Sequence, residues 1–358
     1  PPPEEPMTAL MRPATEPAVR DSRPILEGPG IGYHQNWYAV CLSRELKPGK
    51  IVGRGFLDGK VIAFRGKNGK AQVMSAYCSH IGADLSIGDV IGDEVRCPFH
   101  HWQYNQEGVC THIPVGCKIP DRARIQTFPT AEKWGMVWAF NGEKPLFDVP
   151  GVRGYEESDL LYGVKVHEAG FPVPPWVMVC NSHDYQHLHT LHELGIIEGP
   201  INMNSSDYVL EHDVHYTTRD GLKVENWNRV TGTNTFSAIS RTPSGPIFGM
   251  FTGTRIPGGG TRAYLLAGVP RKEGKNKGRP PTRTEQFALV SGTMMSFLKD
   301  APRLLRAAKF MQAFLDDDEG VLQTIQFRQG VMVEADKTLL GFLKYVREYP
   351  KADLLSAA

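Results

Sequence analysis

The sequence predicts an α+β protein, an all-β domain followed by a domain of antiparallel sheet and helices. Three observations carry that prediction. Residues 36 to about 145 break into short apolar runs separated by turn residues, the pattern of an all-β unit. Strand-like runs recur between Tyr208 and Pro270, and apolar residues then keep a helical spacing from Phe287 to Phe314. The length of 358 residues accommodates two domains of ordinary size.

Taken in order, residues 1–30 are rich in Pro, Arg and Glu and are expected as a flexible arm, with domains at 31–148 and 149–358. In the first domain Val61-Ile62-Ala63-Phe64 and Ala71-Gln72-Val73-Met74 read as strands. The turn signals Gly53-Arg54-Gly55, Asp58-Gly59-Lys60 and Lys67-Asn68-Gly69-Lys70 set them apart. Trp134 to Phe140 reads as one patterned strand before Asn141-Gly142, and the junction falls near Pro145 to Gly151. In the second domain Tyr208-Val209-Leu210, Leu222-Lys223-Val224 and Ala263 to Val269 are strand candidates. Residues 271–283 form a basic, Gly/Pro-broken segment expected as a solvated loop. Phe287, Val290, Met294, Phe297 and Leu298 mark one helix face; Leu304, Leu305, Ala308, Met311 and Phe314 mark another.

Composition narrows the function classes. Apolar residues at 41% and charged residues at 22% describe a globular chain with a full core. A net charge of +1 makes no case for nucleic acid or an anionic membrane. No apolar run approaches the ~18 residues of a spanning helix, and no signal peptide is recognised, so a cytoplasmic protein is expected. Cys41, Cys110, Cys117 and Cys180 lack the spacing of a disulfide scaffold and are expected as free thiols.

Two clusters carry chemistry. Cys78-Ser79-His80 and Cys97-Pro98-Phe99-His100 form the pattern C-x-H-x16-C-x-x-H. A structural zinc site usually groups two cysteines in one knuckle and two histidines in the other. Here each knuckle carries one of each, which suits a [2Fe-2S] cluster with one iron on Cys78 and Cys97 and the other on His80 and His100. Two neutral imidazoles in place of thiolates raise the potential of such a centre. Gly82, Gly88, Gly92 and Pro98 supply the turn residues that close backbone approach requires.

The second cluster is Asn181-Ser182-His183-Asp184-Tyr185-Gln186-His187-Leu188-His189-Thr190-Leu191-His192, four histidines within ten residues. His183 and His187 at i,i+4 allow a zinc-hydrolase reading, although Asp184 stands where that motif wants glutamate.

The segments His80 to Ser86 and Gly92 to Trp102 resemble the cluster domain of Rieske non-haem iron oxygenases, in particular the oxygenase component of ketosteroid 9α-hydroxylases and related monooxygenases. Asn36-Trp37-Tyr38 resembles that family's opening strand. The resemblance implies a Rieske [2Fe-2S] domain followed by a helix-grip-like catalytic domain, with Trp102 beside the cluster. Asn181-x-x-Asp184-x-x-His187-x-x-x-x-His192 reproduces the motif that holds mononuclear Fe(II) there. The implied iron ligands are His187, His192 and a distant carboxylate. Within Asp316-Asp317-Asp318-Glu319, Asp318 followed by Val321 and Leu322 fits the family's pattern, with Asp317 the alternative; a helix N-cap is the structural reading of such aspartates.

Asp184 is implied to bridge His187 of its own chain to His100 of a neighbouring subunit, in a head-to-tail homotrimer. His183 and His189 are expected in supporting roles. The resemblance further implies electrons from NAD(P)H through a separate flavin reductase or ferredoxin, and dioxygen as co-substrate. The substrate would be a small apolar organic molecule, steroid-like or aromatic, that is hydroxylated. O- or N-demethylation and desaturation use the same iron ligands.

Overall fold

A computed structural model describes residues 23–271, 301–328 and 330–354. The helix expected over 287–298 and the basic segment after Arg271 lie outside the described residues. The N-terminal part consists of three small antiparallel sheets. One has the order Thr127–Phe128, Ala71–Ser75, Gly59–Arg65, Ile51–Phe56; the strands expected at 61–64 and 71–74 lie within it. A second joins Thr130–Lys133, Met136–Phe140 and Trp37–Leu42. The third, Asp89–Ile91 to Cys110–His112, supports the loops that carry the two cysteine-histidine knuckles.

The strand expected from Trp134 begins later, at Met136. Trp134 and Gly135 have φ of 59° and 66° and form the two-residue turn of a hairpin with Thr130–Lys133. Both central residues of such a turn take positive φ, because that twist matches the strands. Trp134 adopts it while fully buried, with Nε1 donating to the Pro150 carbonyl at 2.8 Å.

The second part is built on a seven-stranded antiparallel sheet. Its order is Leu160–Phe171, Thr261–Pro270, Gly245–Arg255, Thr235–Thr242, Lys223–Thr231, Val209–Thr217, Gly195–Ser206. Burial alternates along Val209–Thr217, with His212, Val214 and Tyr216 inside, as a strand with one covered face requires. Among the described residues four helices cover that face: α1 (Pro175–Cys180), α2 (Tyr185–Thr190), α3 (Ala301–Leu322) and α4 (Lys337–Glu348). Among the described residues no helix is long and apolar enough to cross a membrane.

The two parts share one core. All six residues of Trp37–Leu42 are buried, and Trp37, Ala39 and Leu42 pack with Tyr162, Ile239, Phe248 and Tyr264. Polar contacts close the seam: Thr254 Oγ1 donates to the Ala39 carbonyl (2.6 Å) and the Tyr264 hydroxyl to that of Val40 (2.8 Å).

The chain end returns to the first part. Lys351–Ala352 pairs with Tyr33–His34, and buried Asn141 directs Nδ2 at the carbonyls of Tyr33 (3.0 Å), His34 (3.3 Å) and Ala352 (3.1 Å). Residues 23–30, expected as the end of a flexible arm, are held by the same corner. Arg347 Nε donates to the Arg23 carbonyl, and Lys351 Nζ to that of Leu26.

Asn141→Ala removes the donor shared by these carbonyls and leaves a small void. The expected cost is about 2 kcal/mol, seen as a lowered thermal midpoint together with faster proteolysis near residues 349–354. An unchanged midpoint would refute the clasp.

Candidate metal centres

The cysteine-histidine knuckles are two closed turns. Cys78 N donates to the Ala83 carbonyl, Gly82 N to that of Cys78, and Cys97 N to that of Trp102. Gly82 sits at φ 80°, and at Gly88 a Cβ would lie 2.3 Å from the Arg96 carbonyl, so both positions need glycine. The turns bury both thiols and leave His80 and His100 exposed.

The two Nδ1 atoms converge to 3.2 Å. Two neutral imidazoles gain little from facing each other in water, whereas a shared metal group gives both lone pairs a use. Trp102 stacks on His80 at 4.5 Å and 8°. Tyr104, which sequence reasoning missed, is fully buried with its hydroxyl 3.0 Å from Cys78 Sγ and 3.1 Å from Ser79 Oγ. Burial pushes the Cys78 thiol up and the Tyr104 contact opposes it. Were Cys78 to hold a cluster, this hydroxyl would be one lever on its potential.

The second centre forms where a helix breaks. α1 ends in the turn Asn181–His183, and α2 starts with Asp184 as N-cap, its Oδ1 accepting from His187 N at 3.1 Å. His183 and His187 therefore do not share one helix face, which removes the geometric basis of a zinc-hydrolase pair. His183 is buried, stacks on Phe342 at 4.5 Å and lies 5.0 Å from the His212 ring. His189 Nδ1 donates to the Leu194 carbonyl at 3.1 Å, tying down the following loop. Asn181 borders the cavity beside this centre.

His187, His192 and Asp318 come together, with one candidate ligand atom from each within 4.8 Å of the others. Asp318 Oδ1 lies 3.7 Å from His187 Nε2 and 3.3 Å from His192 Nε2. Each ring is oriented by its other nitrogen: His187 Nδ1 donates to the Asp184 carbonyl (2.6 Å) and His192 Nδ1 to Asp317 Oδ2 (3.2 Å). The lone pairs thus stand on both Nε2 atoms, facing Asp318. His187 Nε2 and Asp318 Oδ1 are buried without a hydrogen-bond partner among the described residues. Nitrogen, nitrogen and carboxylate oxygen with orphaned lone pairs fit a divalent first-row metal such as Fe(II). Burial works to lower the His192 pKa, but Asp318 and Asp317 outweigh it and the net shift is up; burial lowers that of His187.

The aspartates are not a helix N-cap: they lie late in α3, where Asp316 accepts from Gln312, Asp317 meets His192 and Arg219, and Glu319 meets His167. Of the two apolar residues that follow Asp318 in the family's pattern, Leu322 is buried but Val321 is 47% exposed. Asp184 meets His187 of its own chain through its backbone; its carboxylate caps α2.

Residues 36–129 match the family model of the Rieske [2Fe-2S] domain. This segment is a Rieske domain. Over 192 residues the chain is 35% identical to a cholesterol 7-desaturase of Xenopus laevis, covering 51% of this chain and 40% of that protein. Over 132 residues it is 34% identical to the oxygenase component of a 3-ketosteroid-9-alpha-monooxygenase of Rhodococcus rhodochrous, covering 36% of this chain and 35% of that protein. The matches thus span less than half the length of these relatives.

The whole architecture is also that of solved Rieske oxygenases. NdmB of Pseudomonas putida CBB5 superposes with a TM-score of 0.65 at 18% identity, covering 91% of this chain and 93% of its own. Dicamba monooxygenase bound to dicamba gives 0.58 at 17%, covering 88% and 97%. The Rieske domain is followed, as there, by a mixed domain of helices and antiparallel sheet.

Burial pulls His183 down to about 3 and His212 to about 4. Both rings are neutral when folded and protonated near pH 6.5 when unfolded. Folding stability is therefore fully present above about pH 7 and is lost by roughly 1.4 kcal/mol per unit for each ring as pH falls from 6.5, down to about 4 for His212 and about 3 for His183. Urea unfolding across this range reads the slope, and His183→Leu should make it shallower. An unaltered slope would show that His183 is not the group titrating.

Proposed function

We propose that the chain is the terminal oxygenase component of a multicomponent Rieske system, with domains at 31–148 and 149–358. It hydroxylates an apolar organic substrate, steroid-like or aromatic. One observation carries the reading: a Rieske domain occurs in the same chain as a half-buried His187–His192–Asp318 set that faces a largely apolar cavity. Cys78, Cys97, His80 and His100 would hold the cluster. His187, His192 and Asp318 would hold Fe(II). When bound, the cluster supplies electrons one at a time and the ferrous ion supplies an open coordination face for dioxygen.

The chain's own residues do the rest. Asp317 and the Asp184 carbonyl fix the tautomer of the two iron histidines. Phe310, Met311 and Phe314 of α3 with Phe236, Phe251 and Leu265 of the sheet exclude water and bind apolar substrate. Asp318 is favoured over Asp317 as ligand because it faces both Nε2 atoms, whereas Asp317 is engaged by Nδ1 and Arg219. Asn181 borders the cavity, and Asp184 has its second oxygen without a hydrogen-bond partner among the described residues, as a contact to His100 of a neighbouring subunit would use. That contact asks for a head-to-tail homotrimer. Electrons would come from NAD(P)H through a flavin reductase or ferredoxin, in the cytoplasm. The names of the desaturase and ketosteroid relatives favour a polycyclic substrate and keep desaturation as the second reading.

Metal analysis with EPR of the dithionite-reduced protein tests this. The expected result is about three irons per chain and a Rieske-type signal. Asp318→Ala should drop to about two irons with the signal intact, whereas Asp317→Asn should retain the third with weakened affinity. Asp184→Ala should keep all the iron yet lose most turnover with a surrogate reductase. Zinc in place of iron and no signal would overturn the reading; loss of the third iron in Asp317→Asn but not in Asp318→Ala would reverse the ligand assignment.

A further inference from the structure

The cavity at the His187–His192–Asp318 centre encloses about 1000 Å³, counting its open mouth. Its helix side is largely apolar apart from His187, His192 and Asp318, with Asn181 and Ser182 at the end of α1. Its sheet side is not. Register pairs His212 with Asn228 and Val214 with Asn226, and pairs Asn226 with Ser240 and Asn228 with Ala238. Side chains two apart on a strand share a face, so three strands bring His212, Asn228, Asn226 and Ser240 into one row. Nothing in the local sequence of any one strand reveals it.

The row is hydrogen-bonded end to end. Ser240 Oγ donates to Asn226 Oδ1 (2.6 Å), Asn226 Nδ2 donates to Asn228 Oδ1 (2.5 Å), and Asn228 Nδ2 donates to His212 Nε2 (3.1 Å). The Tyr216 hydroxyl reaches the same Ser240. Each amide nitrogen has two hydrogens. Both asparagine carbonyl oxygens are engaged, while each amide spends only one N–H inside the row. No acceptor for either remaining hydrogen occurs among the described residues. The row therefore ends with surplus donors in a wall otherwise lined by groups such as Phe236, Phe251 and Leu265. An unmet N–H in such surroundings costs free energy until something accepts from it.

We propose that this row is the polar recognition subsite of the cavity, binding the ketone oxygen of an otherwise apolar polycyclic substrate through the free N–H groups of Asn226 and Asn228. It rests on the reading of the opposite wall as the oxygenase iron centre. A carboxylate is disfavoured because no Arg or Lys among the described residues lines the cavity. A hydroxyl would bring a further donor to a wall that already has too many. Holding the oxygen against the sheet fixes which part of the ring system lies toward His187, His192 and Asp318, so the row governs regiochemistry without touching the reacting carbon.

Equilibrium binding of matched pairs, 9-fluorenone against fluorene and 5α-androstan-3-one against 5α-androstane, tests the proposal on the iron-loaded protein and again after chelation of the mononuclear iron. The ketone of at least one pair should bind about tenfold more tightly than its hydrocarbon, with or without that iron. Asn228→Leu, close in shape to asparagine, should bring the ratio near one while leaving hydrocarbon affinity unchanged or improved. Asn226→Ser and Tyr216→Phe provide milder variants if Asn228→Leu folds poorly, and intact folding is read from the Rieske absorption and the thermal midpoint. Equal binding of ketone and hydrocarbon in the unaltered protein overturns the proposal, as does failure of both ketones to bind or a ratio insensitive to these variants. Because the ratio needs no turnover, its loss is separable from absence of the iron, which would instead defeat the oxygenase reading.

Discussion

A carboxylate oxygen and an imidazole nitrogen buried against each other with their lone pairs unmet form an arrangement that a cation resolves. Asp318 Oδ1 and His187 Nε2 are in that position, and much of the second domain is organised to keep them there. Leu315 and Leu322 are buried on either side of Asp318 along α3 and fix the helix's rotation. The break between α1 and α2 turns His187 toward the same point, and the Asp184 cap sets where α2 begins. Each unmet group costs on the order of 1–3 kcal/mol without a partner. A collapsed, self-satisfied version of the site would be more stable without metal, so the packing behind it must hold it open.

The two centres differ in exposure, and that difference follows from how each is built. Cys78, His80, Cys97 and His100 stand on short closed turns at the tip of a small sheet, which buries the thiols but leaves the two imidazoles at the surface. A redox group needs such an edge to exchange electrons with a partner. His192, by contrast, is 5% exposed. The domains nonetheless act as one packed body, because Trp37–Leu42 contributes to a core shared by both and the chain end is sewn back beside Tyr33. The seam is polar as well as apolar, with backbone carbonyls of the first domain accepting from Thr254 and Tyr264 of the second.

What could be read from the sequence was what lies close along the chain. Cys78, His80, Cys97 and His100 fall on two local turns, so spacing singles them out as candidate ligands; His187 and His192 share one short segment with His183 and His189, and only the resemblance to the iron motif sets them apart. Asp317 and Asp318 could not be separated that way. Neighbouring residues on a helix point about 100° apart, and which of them meets both Nε2 atoms depends on how α3 packs. The turn at Trp134-Gly135 was hidden because tryptophan is a poor signal for positive φ, and only burial of the indole and its bond to Pro150 hold it there. Tyr104 and the row from Ser240 to His212 were invisible for a related reason: they matter through register and through contacts across strands.

His192 stands between two carboxylates, and the charge arithmetic explains why both are acceptable. Its Nε2 faces Asp318 and its Nδ1 faces Asp317. A divalent ion on two neutral imidazoles and Asp318 would retain one positive charge. Asp317 is a second anion one bond network away, and it polarises His192 toward a stronger donor. Arg219 lies 3.4 Å from Asp317 and also meets Glu193, which draws part of that charge outward to the half-exposed surface. Were both aspartates aimed at a bound divalent ion, the site would be neutral and crowded, with one fewer open coordination position. Turning Asp317 onto the far side of His192 keeps the carboxylate's electrostatic effect on that ring and leaves only Asp318 facing the two Nε2 atoms beside the cavity.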